Sequence, residues 1–399
     1  MISKIKEYYK NNGFANTTKF IISSLCSRIV RKKNYYKSIN SKAGNIKHYD
    51  KNKRKVFMFA SVPFFDVGGG QRSASLSREF KKIGYNVIYI YAFPTSESKI
   101  YNLVYPTIIH TYVNKFDIKK FRQLINKDDI VIFEVPSNKY LPYLNEAKGR
   151  CKVIYENIDN WLDKLGNAFF EETTLREFLE SSDLLTATAK LLELQLKEFL
   201  DKYKISKDIL YLPNAVNDEM FNSKLDYEKP RDLVVGRKTL LYYGSLWLDC
   251  FDWDLIINVA KSNKEYEINL IGDDKFISIK KNKLPKNIRF LGPKRQRDLP
   301  SYLAHSDFAL YPFKIDQTGL YVSPLKVFEY ISMQKKVLAT CSEEIKNFPG
   351  VFRSNDYKEW IKAIESDEYV SKKKQEEFIR RNNWFNRCNE LLKKIGSDE

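Results

Sequence analysis

The chain has 399 residues, a formal net charge of +18, and 43% apolar and 14% aromatic content. That length suffices for two domains with separate cores, and the apolar content argues against a disordered protein. Five cysteines (Cys26, Cys151, Cys250, Cys341, Cys388) without CxxC spacing and three histidines (His48, His110, His305) without ligand spacing argue against a disulfide framework or a structural zinc site and favour a reducing compartment.

The charge is concentrated at the amino terminus. Residues 1–55 hold fifteen Lys or Arg against Glu7 and Asp50, so this arm carries +13 of the +18. A basic arm on a nearly balanced body does not suggest nucleic-acid binding by the whole protein. Within it, Phe20, Ile21, Ile22, Leu25, Cys26, Ile29 and Val30 recur at helical spacing and Arg28, Arg31, Lys32 and Lys33 follow. The run is too short to cross a membrane and lacks a signal-peptide cleavage pattern. It fits an interfacial amphipathic helix drawn to an anionic membrane surface, the alternative being a helix docked on the body.

From Lys55 the pattern alternates between apolar runs and helical periods. Strands are expected over 56–63, 86–92, 129–135, 152–158, 184–188 and 209–212, and the Gly68, Gly69, Gly70 loop permits close backbone approach. A charged, Pro-containing stretch over 222–238 reads as a linker, after which strands at 239–243, 267–271, 288–291, 308–313 and 336–340 repeat the organisation. This predicts an α/β fold of two Rossmann-like domains with a cleft between them. The divisions are an arm over 1–53, a first domain over 54–225 completed by the C-terminal segment 376–399, with a single helix over 376–395, and a second domain over 236–375. Ligands of such sheets lie beyond the carboxyl ends of the strands.

One stretch of the second domain is suited to an anion. Ser323 and Pro324 form a helix start, with Ser as cap and Pro at the first helical position. The terminus offers unpaired N–H groups and partial positive charge, Lys326 adds a full charge, and Glu329 stands one turn on, within reach of sugar hydroxyls. An ordinary i,i+3 ion pair between Lys326 and Glu329 is the plain alternative.

Six segments stand out: Tyr155–Trp161 (YENIDNW), Asp183–Thr188 (DLLTAT), Leu212–Asn217 (LPNAVN), Leu291–Pro293 (LGP), Asp307–Phe313 (DFALYPF) and Ser323–Tyr330 (SPLKVFEY). Together they resemble the GT-B glycosyltransferases of the family-4 type, and more narrowly their teichuronic acid and capsule polysaccharide branch. The resemblance spans the chain from about residue 55 onward and implies a nucleotide-sugar donor of UDP or GDP type, no metal and no other cofactor. It assigns Glu329 to the donor ribose, Ser323, Pro324, Leu325 and Lys326 to the pyrophosphate, and Gly292, Pro293 and Lys294 to the base. Gly68–Gly70 would face the diphosphate and acceptor, and Asp159 the reacting sugar. Gly244 and Ser245 occupy the place after the first strand of the second domain. Two departures stand out. Tyr321 replaces the first glutamate of the family's Glu-x7-Glu pair, and Gly244-Ser245-Leu246 with Asp249-Cys250-Phe251 stand where Arg and Lys usually grip the diphosphate. That leaves the helix terminus, Lys326, and Lys294 or Arg295 to meet the charge.

Other motifs carry less. Asp252-Trp253-Asp254 precedes a helix, where Asp is favoured as a cap, although Asp-x-Asp also binds metal in other transferases. His110 and His305 read as structural, and Gly68–Gly70 lacks the dinucleotide GxGxxG spacing. The expected function is a retaining, metal-independent glycosyltransferase acting on a lipid-linked or polysaccharide acceptor, with catalytic candidates Asp159 and Lys326. Such an enzyme would work in the cytoplasm, on the inner face of the plasma membrane. A non-catalytic GT-B scaffold subunit and a nucleotide-sugar epimerase are the alternatives.

Overall fold

A computed structural model of the chain describes residues 50, 52–64, 71–93, 108–162, 171–246, 250–274, 277, 281–314, 320–366 and 370–396. The amphipathic segment of the arm and Gly68–Gly70 lie outside these residues.

The first sheet is built from β1 (Lys55–Ala60), β2 (Asn86–Tyr91), β3 (Ile108–Tyr112), β4 (Ile130–Phe133), β5 (Lys152–Asn157), β6 (Leu184–Ala187) and β7 (Ile209–Tyr211). Its order is β3-β2-β1-β4-β5-β6-β7, and the pairings are parallel, with Lys55 opposite Asn86 and Val56 opposite Ile130. β1 and β2 are buried at every residue, because helices cover both faces of a parallel sheet and such strands become continuous apolar runs. Side chains alternate across the sheet: Phe57 and Phe59 enter one core, Val56, Met58 and Ala60 the other. Each fully buried Phe or Leu contributes ~1.5–3 kcal/mol. The connecting helices are α1 (Arg72–Lys82), α2 (Ile118–Leu124), α3 (Leu141–Ala147), α4 (Glu172–Ser181) and α5 (Lys190–Tyr203).

The second sheet has β8 (Lys238–Tyr243), β9 (Tyr266–Ile271), β10 (Ile288–Phe290), β11 (Phe308–Tyr311), β12 (Lys336–Ala339) and β13 (Val351–Arg353). Its order is β10-β9-β8-β11-β12-β13, also parallel. Its helices are α6 (Trp253–Ser262), α7 (Leu299–Ala304), α8 (Leu325–Ser332) and α9 (Tyr357–Glu365). The order reverses between β1 and β4 in one sheet and between β8 and β11 in the other, so each has a switch point at which carboxyl ends diverge.

Two expectations are corrected and one is given detail. The single helix over 376–395 is two, α10 (Lys372–Arg381) and α11 (Trp384–Lys394), broken where Asn383 turns extended and caps α11 by accepting from Asn386 N. The break lets Ile379 pack in the core of the second sheet while Trp384, Cys388, Leu391 and Leu392 pack beside α1 on the first. The stretch 222–238, read as a linker, has no helix or strand before β8 and is bonded to the second unit. His305 Nε2 meets Tyr227 O at 2.7 Å, Tyr302 donates to Asp232 at 2.6 Å, and Val234 pairs with the Asn269 amide. The third concerns the helix start at Ser323. Pro324, at φ −79° and ψ 89°, takes the cap position of α8 without a side-chain cap, and Ser323 is engaged elsewhere, as its partners below show.

Candidate functional site

α8 buries Val327, Phe328, Tyr330 and Ile331 against the second core. That leaves the start of the helix directed at the first sheet. Tyr321 packs on one core of the first sheet, and Leu325 on the other, which includes residues of α1 and α11. Asn214, just past β7, donates through its backbone N to Ser323 Oγ at 2.9 Å and through Nδ2 to Ser323 O at 2.8 Å. The Ser323 hydroxyl therefore ties the two sheets together instead of capping α8. A second tie runs from Tyr211 and the Lys190 backbone N to Glu344.

Lys326 and Glu329 turn to different partners. Lys326 Nζ donates to the Tyr242 hydroxyl at 3.3 Å and lies 4.7 Å from the ring centres of both Tyr242 and Phe313, with Tyr311 at 6.0 Å. Aromatic faces attract a cation but cannot replace its hydration, and burial pushes the amine down to about 8. Glu329 accepts from Tyr243 Oη at 2.7 Å and Gln296 Nε2 at 2.9 Å. Burial outweighs these donors and the nearby Lys326 charge, and pushes its carboxyl up to about 7. Among the described residues the amine has one hydrogen-bond acceptor, a neutral hydroxyl, and it stands at the positive end of a helix, an arrangement suited to an anion.

Glycines open the space beside the amine. Gly244, at φ +137°, ends β8; a Cβ there would stand 2.5 Å from Lys326 Nζ and 3.0 Å from Tyr242 Oη. Gly272, at φ +156°, ends β9, where a Cβ would collide with Gly244 O. Backbone bonds from Gly244 N to Ile271 O and from Gly272 N to Gly292 O knit the carboxyl ends of β8, β9 and β10 together. A side chain at these positions would fill the approach that a ligand needs.

The structure thus brings together Gly244, Ser245, Lys326 and Glu329, with Ser323, Pro324 and Leu325 at the head of the same helix. Ser245 enters through its carbonyl, which accepts from Tyr242 Oη at 3.0 Å. Pro293 is exposed on the loop after β10. Lys294 pairs with Asp232 at 2.5 Å and Arg295 with Asp298 at 2.7 Å, so carboxylates already answer both. Asp159 is exposed on the loop leaving β5, at the carboxyl edge of the first sheet. Asp252 accepts from Leu255 N as the cap of α6. His110 accepts from Phe64 N at 3.1 Å and stacks on Tyr91, and burial lowers it to about 4.

The sequence did not indicate Tyr242, Tyr243, Gln296, Phe313 or Asn214 as site residues. Tyr242 and Tyr243 carried a signal of sorts, two hydroxyls just before a strand-end glycine. A buried cluster at the first sheet's switch point was missed as well. Arg72 forks onto Glu156 at 2.8 Å and reaches Pro213 O and Asn214 Oδ1 at 3.2 and 3.3 Å. Beside them Glu134 accepts from Ser61 N, and burial together with the Glu156 charge pushes its carboxyl up to about 7.

No family model matches the sequence, and no curated protein matches it. Solved structures do share the architecture. Anabaena HepE, crystallised with UDP and glucose, matches at a TM-score of 0.62 and 12% identity, over 86% of this chain and 100% of that one. A glycosyltransferase from Rickettsia africae gives 0.57 at 16% identity over 87% and 100%. Sucrose-phosphate synthase from Thermosynechococcus elongatus gives 0.58 at 12% over 87% and 100%. The fold is GT-B, two parallel α/β sheets with their helices.

Proposed function

We propose that the protein is a glycosyltransferase that takes a sugar from a UDP- or GDP-type donor. The observation that carries this is the Lys326 amine, under-compensated among aromatic rings at the head of α8, with the Glu329 carboxyl one turn on and strand-end glycines opening the approach. Support comes from the HepE structures, which hold UDP, UDP with glucose, and UDP-glucose. In the reaction, the bond between the sugar's anomeric carbon and the diphosphate oxygen breaks, and a bond to an acceptor hydroxyl oxygen forms. The nucleoside diphosphate leaves with the electron pair, and the acceptor's proton passes to it or to water. Lys326 and the first N–H groups of α8 stabilise the charge that develops on the leaving diphosphate. Glu329 binds the ribose, its carboxyl held in place by Tyr243 and Gln296. Asp159 orients the acceptor or balances positive charge on the sugar.

The resemblance to the family-4 type extends the proposal to retention of anomeric configuration without a metal, and to a lipid-linked or polysaccharide acceptor in cell-surface glycan synthesis. No described helix is long and apolar enough to cross a membrane, and contact with an anionic inner membrane surface is assigned to the basic arm. A second reading, a non-catalytic GT-B subunit, rests on Tyr321, which packs on the first core where the resemblance expects an acidic group. Calorimetry against UDP, GDP and TDP, followed by a donor-hydrolysis assay with the matching nucleotide-sugars, separates the two. Binding with hydrolysis is expected; binding without hydrolysis or transfer favours the subunit, and no binding defeats the site.

A further inference from the structure

At the other end of the first sheet, below the amino ends of β1 and β2, lies an open groove of about 910 Å³. Lys53 and Arg54 border it on one side, Arg381 and Lys393 on the other, and Ile83 and Phe385 form apolar wall. Its one acidic lining residue, Glu390, is engaged by Arg387 at 2.9 Å. Lys81 stands close enough that burial, and then the Lys53 charge, hold its amine below the ordinary value. Phe385 is 49% exposed, although its neighbour Trp384 is buried in the core; α11 therefore turns one large ring outward on a basic face. The chain reaches this same place from the arm. Asn86 Nδ2 donates to Asp50 O at 2.6 Å and Lys53 N to the same oxygen at 3.2 Å, which fixes the end of the segment carrying fifteen basic residues at the mouth of the groove.

Four cationic side chains beside an apolar wall suit a ligand that is anionic at one end and apolar at the other. We propose that the groove docks an anionic lipid surface, with lipid phosphates among Lys53, Arg54, Arg381 and Lys393 and Phe385 set into the headgroup boundary. Attraction of these four cations to anionic headgroups adds to the apolar burial of Phe385. This goes beyond the membrane part of the reading above and is independent of the nucleotide site.

The test is sedimentation of the full chain with vesicles of phosphatidylcholine alone or with phosphatidylglycerol added. The double variant Arg381→Glu, Lys393→Glu should partition onto the anionic vesicles at least about tenfold more weakly than the native chain. A control with the same change of net charge on exposed positions of the second unit, Lys264→Glu with Lys358→Glu, should lose less than about threefold. Phe385→Ser, which leaves charge untouched, should lose about threefold or more, and UDP binding should be unchanged in all three. Equal losses in the groove and control variants, no loss in Phe385→Ser, or a larger loss on a single-stranded oligonucleotide than on vesicles would overturn the proposal. Should the double variant fail to fold, Phe385→Ser decides alone.

Discussion

Each sheet gathers buried charge at the carboxyl ends of its strands, and the two clusters are settled in opposite ways. In the first, Arg72 forks onto Glu156, donates to Pro213 and Asn214, and lies 5.7 Å from the Trp384 ring. Its donors are met by protein acceptors, an arrangement that fixes a structure. In the second, the Lys326 amine has a phenol hydroxyl and ring faces, and the carboxylate one turn away is held by other donors. A closed cluster resists solvent and ligand alike, whereas a cation held, among the described residues, by one hydroxyl and ring faces suits an added anion. The same residue types thus point to architecture in one sheet and to binding in the other.

The largest expected effect tests the closed cluster. Arg72→Met leaves Glu156 buried without its partner and should lower unfolding free energy in urea by about 3–5 kcal/mol; a loss below 1 kcal/mol would break the contrast. Lys326→Met should do the reverse, leaving stability within about 1 kcal/mol or raising it. It should also weaken nucleoside diphosphate binding by roughly ten- to a hundredfold in calorimetry, the worth of about 1.5–3 kcal/mol for a charged hydrogen bond. The pH dependence sharpens this. With the amine pushed down to about 8, it is charged below that pH and neutral above it. Diphosphate affinity should fall as pH rises from 7 to 9 in the native chain and stay flatter in Lys326→Met. The smallest effect is expected at the tie between the sheets: Asn214→Ala should cost about 1–2 kcal/mol and reduce diphosphate affinity less than Lys326→Met does.

What could be read beforehand follows from how far each feature depends on distant residues. β1, β2, β4 and β8 were legible because strands buried on both faces are continuous apolar runs. The edge strand β13 is three residues long and partly buried, and such a strand has little pattern to show. The break between α10 and α11 was present as Asn382-Asn383, a cap signal hidden inside a helical period. Lys326 and Glu329 stood out because a helix start is local. Their partners did not, since Tyr243 lies 86 residues and Gln296 33 residues from Glu329. Only the sheet order, which sets β10, β9 and β8 in succession beside β11, brings those side chains to the same helix.

The chain passes between the two sheets twice, from Leu212 to Phe221 and back from Ile379 to Trp384. The two passages are bonded side by side, Val216 N to Asn382 O at 3.1 Å and Trp384 N to Val216 O at 3.3 Å. Two adjacent covalent crossings define a pivot line, so the soft relative motion of the halves is a swing about that line, while sliding and separation would strain the crossings. Asn214 is two residues from Val216, within about 7 Å of the pivot by chain reach, and it holds Ser323. The head of α8 therefore sits near the axis, where a swing displaces atoms least. On the proposed reading, Lys326 would hold its place against a leaving diphosphate through such a swing.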